Sequence, residues 1–451
     1  MSEHLETNSL ESAGLQEVTG LGGGSMGEPE IEKRPAGQPR PEEDEPSLLR
    51  HPKIIRALRN RDFRLFWSGN FLSNIGTWMQ NVAQGWLVLR LTNSPFWLGV
   101  VGFASTIPIL FFAIIGGVVA DHVNKRRMLI VTQSIMMAFA FAMSFLAYRK
   151  IITVNEIIWL ALGTGIAMSM NAPTYQAMMP DLIPREDLTN AIALNSAQFN
   201  MARVLGPTLG GFAMSLVGEA GNFFLNGLSF LAVIVALSQI RHNSRPAPRE
   251  GDLWRKLREG FSYVFGHPQM APLVMLVGIG SLLAIPYLVF VPYFARDILG
   301  TDERGLGILM ACSGIGAFFG AATIAYQARV RGRGKFLFRA GLAFFASIIA
   351  FTFSRSFALS GALLMAAGYS MVLMVATINS LLQHLADNSM RGRVMSIYST
   401  AFLGLPPIGA LIAGSLSHVF TAPHAIAGMA AAGFVGANLV YAMRPPLRQL
   451  E

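Results

Sequence analysis

GGVVADHVNKRRM, residues 116–128, changes character within a few positions. Ahead of it, residues 96–120 are free of charge and strongly apolar, about the 17–25 residues a helix needs to cross a bilayer. One acid, Asp121, then precedes three consecutive cations, Lys125, Arg126 and Arg127, and a second uncharged run resumes over 128–148. Two apolar runs joined by a short basic turn read as two membrane helices connected on the cytoplasmic side, where Lys and Arg accumulate.

The same alternation extends in both directions. Spans are expected near 63–89, 95–120, 128–148, 154–179, 188–217 and 221–240, and again near 270–295, 304–328, 336–354, 357–385, 394–417 and 423–443. Composition agrees: 52% of the 451 residues are hydrophobic and 14% charged, against about 25% charged in soluble domains. The fold expected is therefore all-α and integral to the membrane, with twelve transmembrane helices in two six-helix halves. An N-terminal half, 50–240, is joined by a cytoplasmic linker, 241–269, to a C-terminal half, 270–443, and a short tail, 444–451. In the linker, Leu253, Trp254, Leu257 and Phe261 recur at helical spacing, as in an interfacial amphipathic helix. The halves echo each other: FWLGVVGFASTIP (96–108) aligns with RGLGILMACSGIG (304–316), Leu98-Gly99 over Leu306-Gly307. Tandem six-helix halves are a transporter architecture.

Charge fixes the orientation. Residues 1–49 hold eleven Asp/Glu against three Lys/Arg in a Gly-, Pro- and Ser-rich context and are expected to form a disordered acidic tail. Of the thirty-two Lys/Arg that follow, twenty-five fall in segments that are cytoplasmic if the N-terminus is inside, six fall outside, and one, Arg203, falls within a span. Both termini are thus expected in the cytoplasm. Scattered over many loops, these cations are membrane anchors, which argues against a nucleic-acid partner. The single Cys312 excludes an intrachain disulfide, and no His/Cys spacing suits a metal. No phosphate-binding loop of the GxxxxGK[ST] type and no nucleophile–base pair is present, so neither an enzyme nor a cofactor is expected.

The turn Gly117-x-x-x-Asp121 with Lys125, Arg126 and Arg127, placed between spans two and three, resembles the major facilitator superfamily, in which this loop is a conformational latch. The resemblance implies partners for Asp121 at the start of span eleven, where Arg391 and Arg393 stand in MRGRVMS (390–396). NMARVLGPTLGG (200–211) carries Gly206, Pro207, Gly210 and Gly211 and resembles the G-P-x-x-G-G element of the fifth helix in exporters of that superfamily. GTWMQNVAQGWLVLRLT (76–92) is similar to the first helix of the enterobactin-exporter and macrolide-efflux branch. The likeness covers nearly everything after residue 55. It implies a monomeric secondary transporter of the inner membrane, a proton-coupled antiporter that exports an amphiphilic small molecule, drug- or siderophore-like, by alternating access. An importer of a small organic anion and a non-transporting sensor on the same fold remain open alternatives.

Polar stripes suggest where a solute would pass. Asn70, Asn74, Thr77, Asn81 and Gln84 recur at helical spacing along span one, and Thr164, Asn171 and Tyr175 along span four. In span five, Ser196, Asn200, Arg203, Pro207 and Gly210 share a face, which puts Arg203 near mid-membrane. A charge there costs at least about 2.5–3.5 kcal/mol on insertion scales, so it is expected either to brace neighbouring helices or to meet an anionic solute. Candidate pathway residues are Arg203, Asn81, Gln84, Asn171 and Tyr175, with Tyr287 from the second half. No acid lies at mid-membrane, so proton coupling is implied by the family alone, with Asp121, Glu219 and Asp297 the candidates at span ends.

Overall fold

A computed structural model of the chain describes residues 53–240, 253–326 and 333–443, with side chains at 56–112, 123–240, 258–326 and 334–443. The acidic segment 1–49, the tail 444–451, residues 241–252 of the connector and the side chains of Gly117 and Asp121 lie outside these. Every regular element among the described residues is a helix.

Helix starts follow from local side-chain chemistry. After a 3-10 turn at Lys53–Arg59, α1 (Arg61–Thr92) begins at Asn60, whose Oδ1 accepts from the backbone N–H groups of Asp62 and Phe63. It ends at Asn93, held at φ 47° with its N–H donating to the Leu89 carbonyl, a left-handed cap that Asn tolerates. α2 (Pro95–His122) follows at once. In the basic turn after α2, Asn124 caps α3 (Lys125–Tyr148) by accepting from the Arg127 N–H, while Glu156 closes the start of α4 (Val154–Met178) by accepting from the Thr153 N–H.

α5 (Leu188–Gln239) has 52 residues. Its dihedrals stay helical through Pro207 and leave the helical range at Gly218, at φ 69° and ψ −177°. The chain turns back there: the Asn222 side-chain amide donates to the Gly210 carbonyl at 2.8 Å, whereas twelve residues along one straight helix would separate them by about 18 Å. α5 is therefore two antiparallel limbs joined by one residue, and the positive φ explains why that residue is glycine. The sequence ends span five at 217 and begins span six at 221, and the departure from helical geometry falls between them at Gly218.

α6 (Leu253–Gly266) occupies the connector, as its amphipathic spacing predicts. α7 (Met270–Leu283) and α8 (Tyr287–Tyr293) are separated at Pro286, and a π-turn, Phe294–Ile298, ends this stretch. α9 (Glu303–Tyr326), α10 (Arg333–Phe353), α11 (Phe357–Leu385), α12 (Arg391–Val419) and α13 (Ala422–Met443) complete the molecule. Nine of the described stretches are long and apolar enough to span a membrane. The sequence reading expects twelve, and the difference has a physical source. α1 and α4 carry the polar stripes, which keep them out of the nine, and α5 passes through Gly218 as a single element.

In the N-terminal part α1 packs on α5, α3 on α4 and α5, and α2 on α4; in the C-terminal part α9 and α10 pack on α11, and α7 and α12 on one another. The two parts meet along α2–α12 and α5–α9. Apolar burial does not drive helices together in lipid, so close approach and hydrogen bonds must do so. Both seams use close approach. A Cβ on Gly99 would lie 2.5 Å from the Ala410 carbonyl oxygen and 2.9 Å from the Gly414 Cα; one on Gly211 would lie 2.5 Å from the Glu303 oxygen and 2.9 Å from the Gly307 Cα. Gly99 and Gly307 are the residues that the internal sequence echo superposes.

Candidate substrate pathway

A cavity of about 470 Å³ lies between the two parts, next to the Gly99–Gly414 crossing. α1 supplies Asn70, Asn74, Thr77, Asn81 and Gln84, and α4 supplies Thr164 and Asn171, so the two stripes read from sequence face one space. The opposite wall is apolar: Ile285, Leu288, Val289 and Pro292 from the α7–α8 region, Met310 from α9, and Pro406 from α12. Among the described residues that line it, none is charged. A wider groove of about 700 Å³ runs between α3 and α4 on the outer flank, where Val131, Ile135 and Ile166 are exposed; its apolar lining suits lipid rather than a polar solute.

The other candidates sit elsewhere. The Tyr175 ring stacks on Phe66 at 4.4 Å and its hydroxyl donates to Asn195 Oδ1 at 2.9 Å, so it closes the α1–α4–α5 packing rather than lining the cavity. Tyr287 is buried in the C-terminal part, its hydroxyl 3.0 Å from Ser313 Oγ. Arg203 also lies outside the cavity lining, on the α5–α9 seam within electrostatic reach of Tyr287. It makes no hydrogen bond or ion pair among the described residues. Its carbonyl is released from the helix ladder because Pro207, four residues on, has no N–H. Gly314 of α9 leaves room there, since a Cβ on it would come within 2.9 Å of that oxygen.

In the GPxxGG element each glycine has its own neighbour. Gly206 and Gly210 admit α1 at Trp78 and Met79, and Gly211 admits α9 across the seam. The basic turn fastens α3 to its own half. Lys125 Nζ pairs with Asp181 at 2.8 Å, and the Arg126 guanidinium donates to the carbonyls of Leu237 (2.7 Å) and Ser238 (2.5 Å) at the end of α5, a favourable place for a cation. Arg127 is exposed. At the start of α12, Arg393 pairs with Glu259 of α6 at 2.7 Å and Arg391 donates to the Gln383 carbonyl at 3.1 Å.

A buried amide network lies behind the α1 stripe, and the sequence reading passed it over. The Asn226 amide donates to Gln80 Oε1 at 2.7 Å, and the Ser229 hydroxyl donates to Asn226 Oδ1 at 2.9 Å. Gly76 makes the space, since a Cβ there would lie 2.4 Å from Ser229 Oγ. Asn222, Asn226 and Ser229 are spaced by four and three, the same signal that marked α1, and Ser73, Gly76 and Gln80 form the matching face. Gln80, Asn226 and Gln133 of α3 all reach the cavity.

Two helical groups, a cavity between them polar on one wall, and two related glycine crossings define a membrane transporter of the major facilitator type. The solved structures agree on the fold. A POT family transporter in complex with 5-aminolevulinic acid superposes with TM-score 0.71 at 9% identity, covering 86% of this chain and 97% of that one. A point mutant of the nucleoside transporter NupG gives 0.68 at 12%, covering 85% and 100%. The chain belongs to the transmembrane secretion effector family, whose model matches residues 55–451. Among curated proteins it is 24% identical to the enterobactin exporter EntS of Shigella boydii (82% of this chain, 88% of that protein). It is also 24% identical to the multidrug efflux pump Tap of Mycolicibacterium fortuitum (74% and 84%). The match to the staphyloferrin A transporter of Staphylococcus aureus, at 23%, covers 56% of this chain and 64% of that protein, just under two thirds of its length. These relatives are transporters, and the chain is a transporter rather than an enzyme.

Proposed function

We propose that the protein is a secondary transporter that exports an amphiphilic small molecule from the cytoplasmic side of the inner membrane by alternating access. The observation that carries this reading is the one-sided cavity, with amides and hydroxyls from α1 and α4 facing an apolar wall from α8, α9 and α12. In this reading the chain crosses the membrane twelve times, counting α1, α4 and both limbs of α5, with both termini cytoplasmic. Residues 50–240 and 270–443 move as two halves across the α2–α12 and α5–α9 seams, and Gly117 and Asp121 complete the latch at the basic turn. The glycine-sealed end is then the outer one, and the conformation is inward-facing. Arg203, on the moving seam without a hydrogen bond, acts as a brace in one state of the cycle. For proton coupling the carboxylate we assign is Glu219. Among the described residues it is the one buried charged side chain, and it faces Arg90 at 3.1 Å. An uncharged cavity does not favour the organic-anion importer.

Proteoliposomes with an imposed pH gradient test the function. Gradient-driven movement of uncharged or lipophilic probes from the cytoplasmic face is expected, with gradient dependence lost in Glu219→Gln. Movement that ignores the gradient in the wild type would remove proton coupling, and absence of movement for every class of probe would remove transport.

A further inference from the structure

We propose that Gln133 is the polar subsite of the cavity and that it takes an uncharged hydrogen-bonding group, a hydroxyl or an amide, from the transported molecule; this rests on the exporter reading. Gln133 comes from α3, a helix that otherwise packs within its own half, with Phe141 against Phe224 and the Ser144 hydroxyl donating to the Ala220 carbonyl. Its side chain nevertheless reaches the cavity wall at 4% exposure, and its Oε1 is sealed from the surface without a hydrogen-bond partner.

Two amides of the same wall are already engaged. Asn171 donates to Thr132 Oγ1 at 2.8 Å, and Asn226 is committed to Gln80 and Ser229. Those bonds hold this part of the wall in place, and the Gln133 oxygen is the amide atom there that is buried without a partner. Met136, one turn along α3, packs with Ala167 and Phe230, so the polar position has an apolar floor.

The same geometry restricts charge. A carboxylate or phosphate can accept from the Gln133 amide N–H but leaves its oxygen without a donor, and it finds no cation among the described lining residues; Arg203 stands on the seam instead. An ammonium group could donate, but no carboxylate among the described lining residues would balance it. Either ion would enter a low-dielectric space uncompensated. A hydroxyl or secondary amide both donates and accepts, so it satisfies the side chain in either orientation of its amide.

Two measurements test this. Chloramphenicol, an uncharged aromatic diol with one amide, and its succinate ester, the same body bearing a carboxylate, are titrated against the purified full-length protein by calorimetry. Wild type should bind chloramphenicol about tenfold or more tightly than the succinate. Gln133→Leu should lose about tenfold in affinity, roughly one buried hydrogen bond, and Gln133→Asn should regain part of it. Each variant must keep its monodisperse elution and melting temperature.

Independently, a cysteine is introduced at position 133 in a Cys312→Ser background. Its reaction with methyl methanethiosulfonate is compared with that of the sulfonatoethyl and trimethylammonioethyl reagents, each relative to its rate at an introduced cysteine replacing the exposed Thr421. A neutral preference at 133 is expected. Equal relative rates for the charged reagents, equal binding of the succinate, no chloramphenicol binding, or an unaffected Gln133→Leu would each overturn the proposal. Binding as expected without gradient-driven transport would instead sink the exporter reading and leave the subsite standing.

Discussion

Gly211→Ala adds a single methyl group at the α5–α9 seam. That methyl carbon would sit 2.5 Å from the Glu303 oxygen and 2.9 Å from the Gly307 Cα, both backbone atoms that cannot rotate aside. Restoring ordinary contact requires the two helices to part by about 1 Å. Overpacking of this kind costs about 1–3 kcal/mol, and under the proposed alternating access it applies only to the conformation in which this end is closed. Alanine also gains up to about 1 kcal/mol over glycine in helix propensity, but that gain is common to both conformations and cancels from the equilibrium between them. The closed-to-open ratio at this end should therefore fall by about 5- to 160-fold. Nitroxide labels at Leu216 and Val419, 79% and 76% exposed, read the opening. Each stands five residues beyond its seam glycine, Gly211 or Gly414, one on each half. In a Cys312→Ser background, pulsed dipolar spectroscopy should show the distance distribution moving to longer values in Gly211→Ala. Gly428→Ala, where an added Cβ meets nothing within 4 Å, should leave it unmoved. An unchanged distribution in a folded Gly211→Ala protein, or an equal shift in the control, refutes the reasoning.

Asn226→Leu strands the Gln80 amide and should cost about 1–3 kcal/mol, whereas the paired Gln80→Leu/Asn226→Leu change should recover most of that; thermal unfolding in detergent decides, and equal losses in the two would count against the network. Asn124→Ala removes the α3 cap and should cost about 0.5–2 kcal/mol, read as faster hydrogen exchange over residues 125–128, with no change there disproving the cap's role. Arg203→Gln removes a span-five cation that has no hydrogen bond among the described residues and should raise the melting temperature, the gain in stability being no more than about 2.5–3.5 kcal/mol, its insertion cost. A lowered melting temperature would show that the guanidinium braces this conformation.

The helices and the connector helix could be read from sequence because apolar length and charge breaks are local signals. The α1 and α4 stripes were legible for the same reason: helical periodicity states which residues share a face, and both faces proved to border one cavity. Periodicity does not state what a face looks at. Arg203 shares a stripe with Asn200 and Pro207 and, read alone, suits a solute contact; its place on the α5–α9 seam depends on how Gly211 and Gly307 bring two distant helices together. Gln133 gave no sign at all, since one glutamine on an apolar helix has no periodic partner, and only the packing of α3 against Phe230 and Ala167 brings it to the cavity. The Asn222–Asn226–Ser229 face was different, because its spacing was visible and the glycine-rich motif nearby drew the reading away.

The one-residue reversal at Gly218 makes α5 a rigid lever. Its first limb forms the seam at Gly211, its second limb carries Asn226 into the amide wall, and the Asn222–Gly210 hydrogen bond ties the two side by side. With no loop to absorb slack at the turn, displacement of one limb is passed to the other. A change of contact at the seam is therefore felt at the polar wall, and occupancy of that wall is felt at the seam.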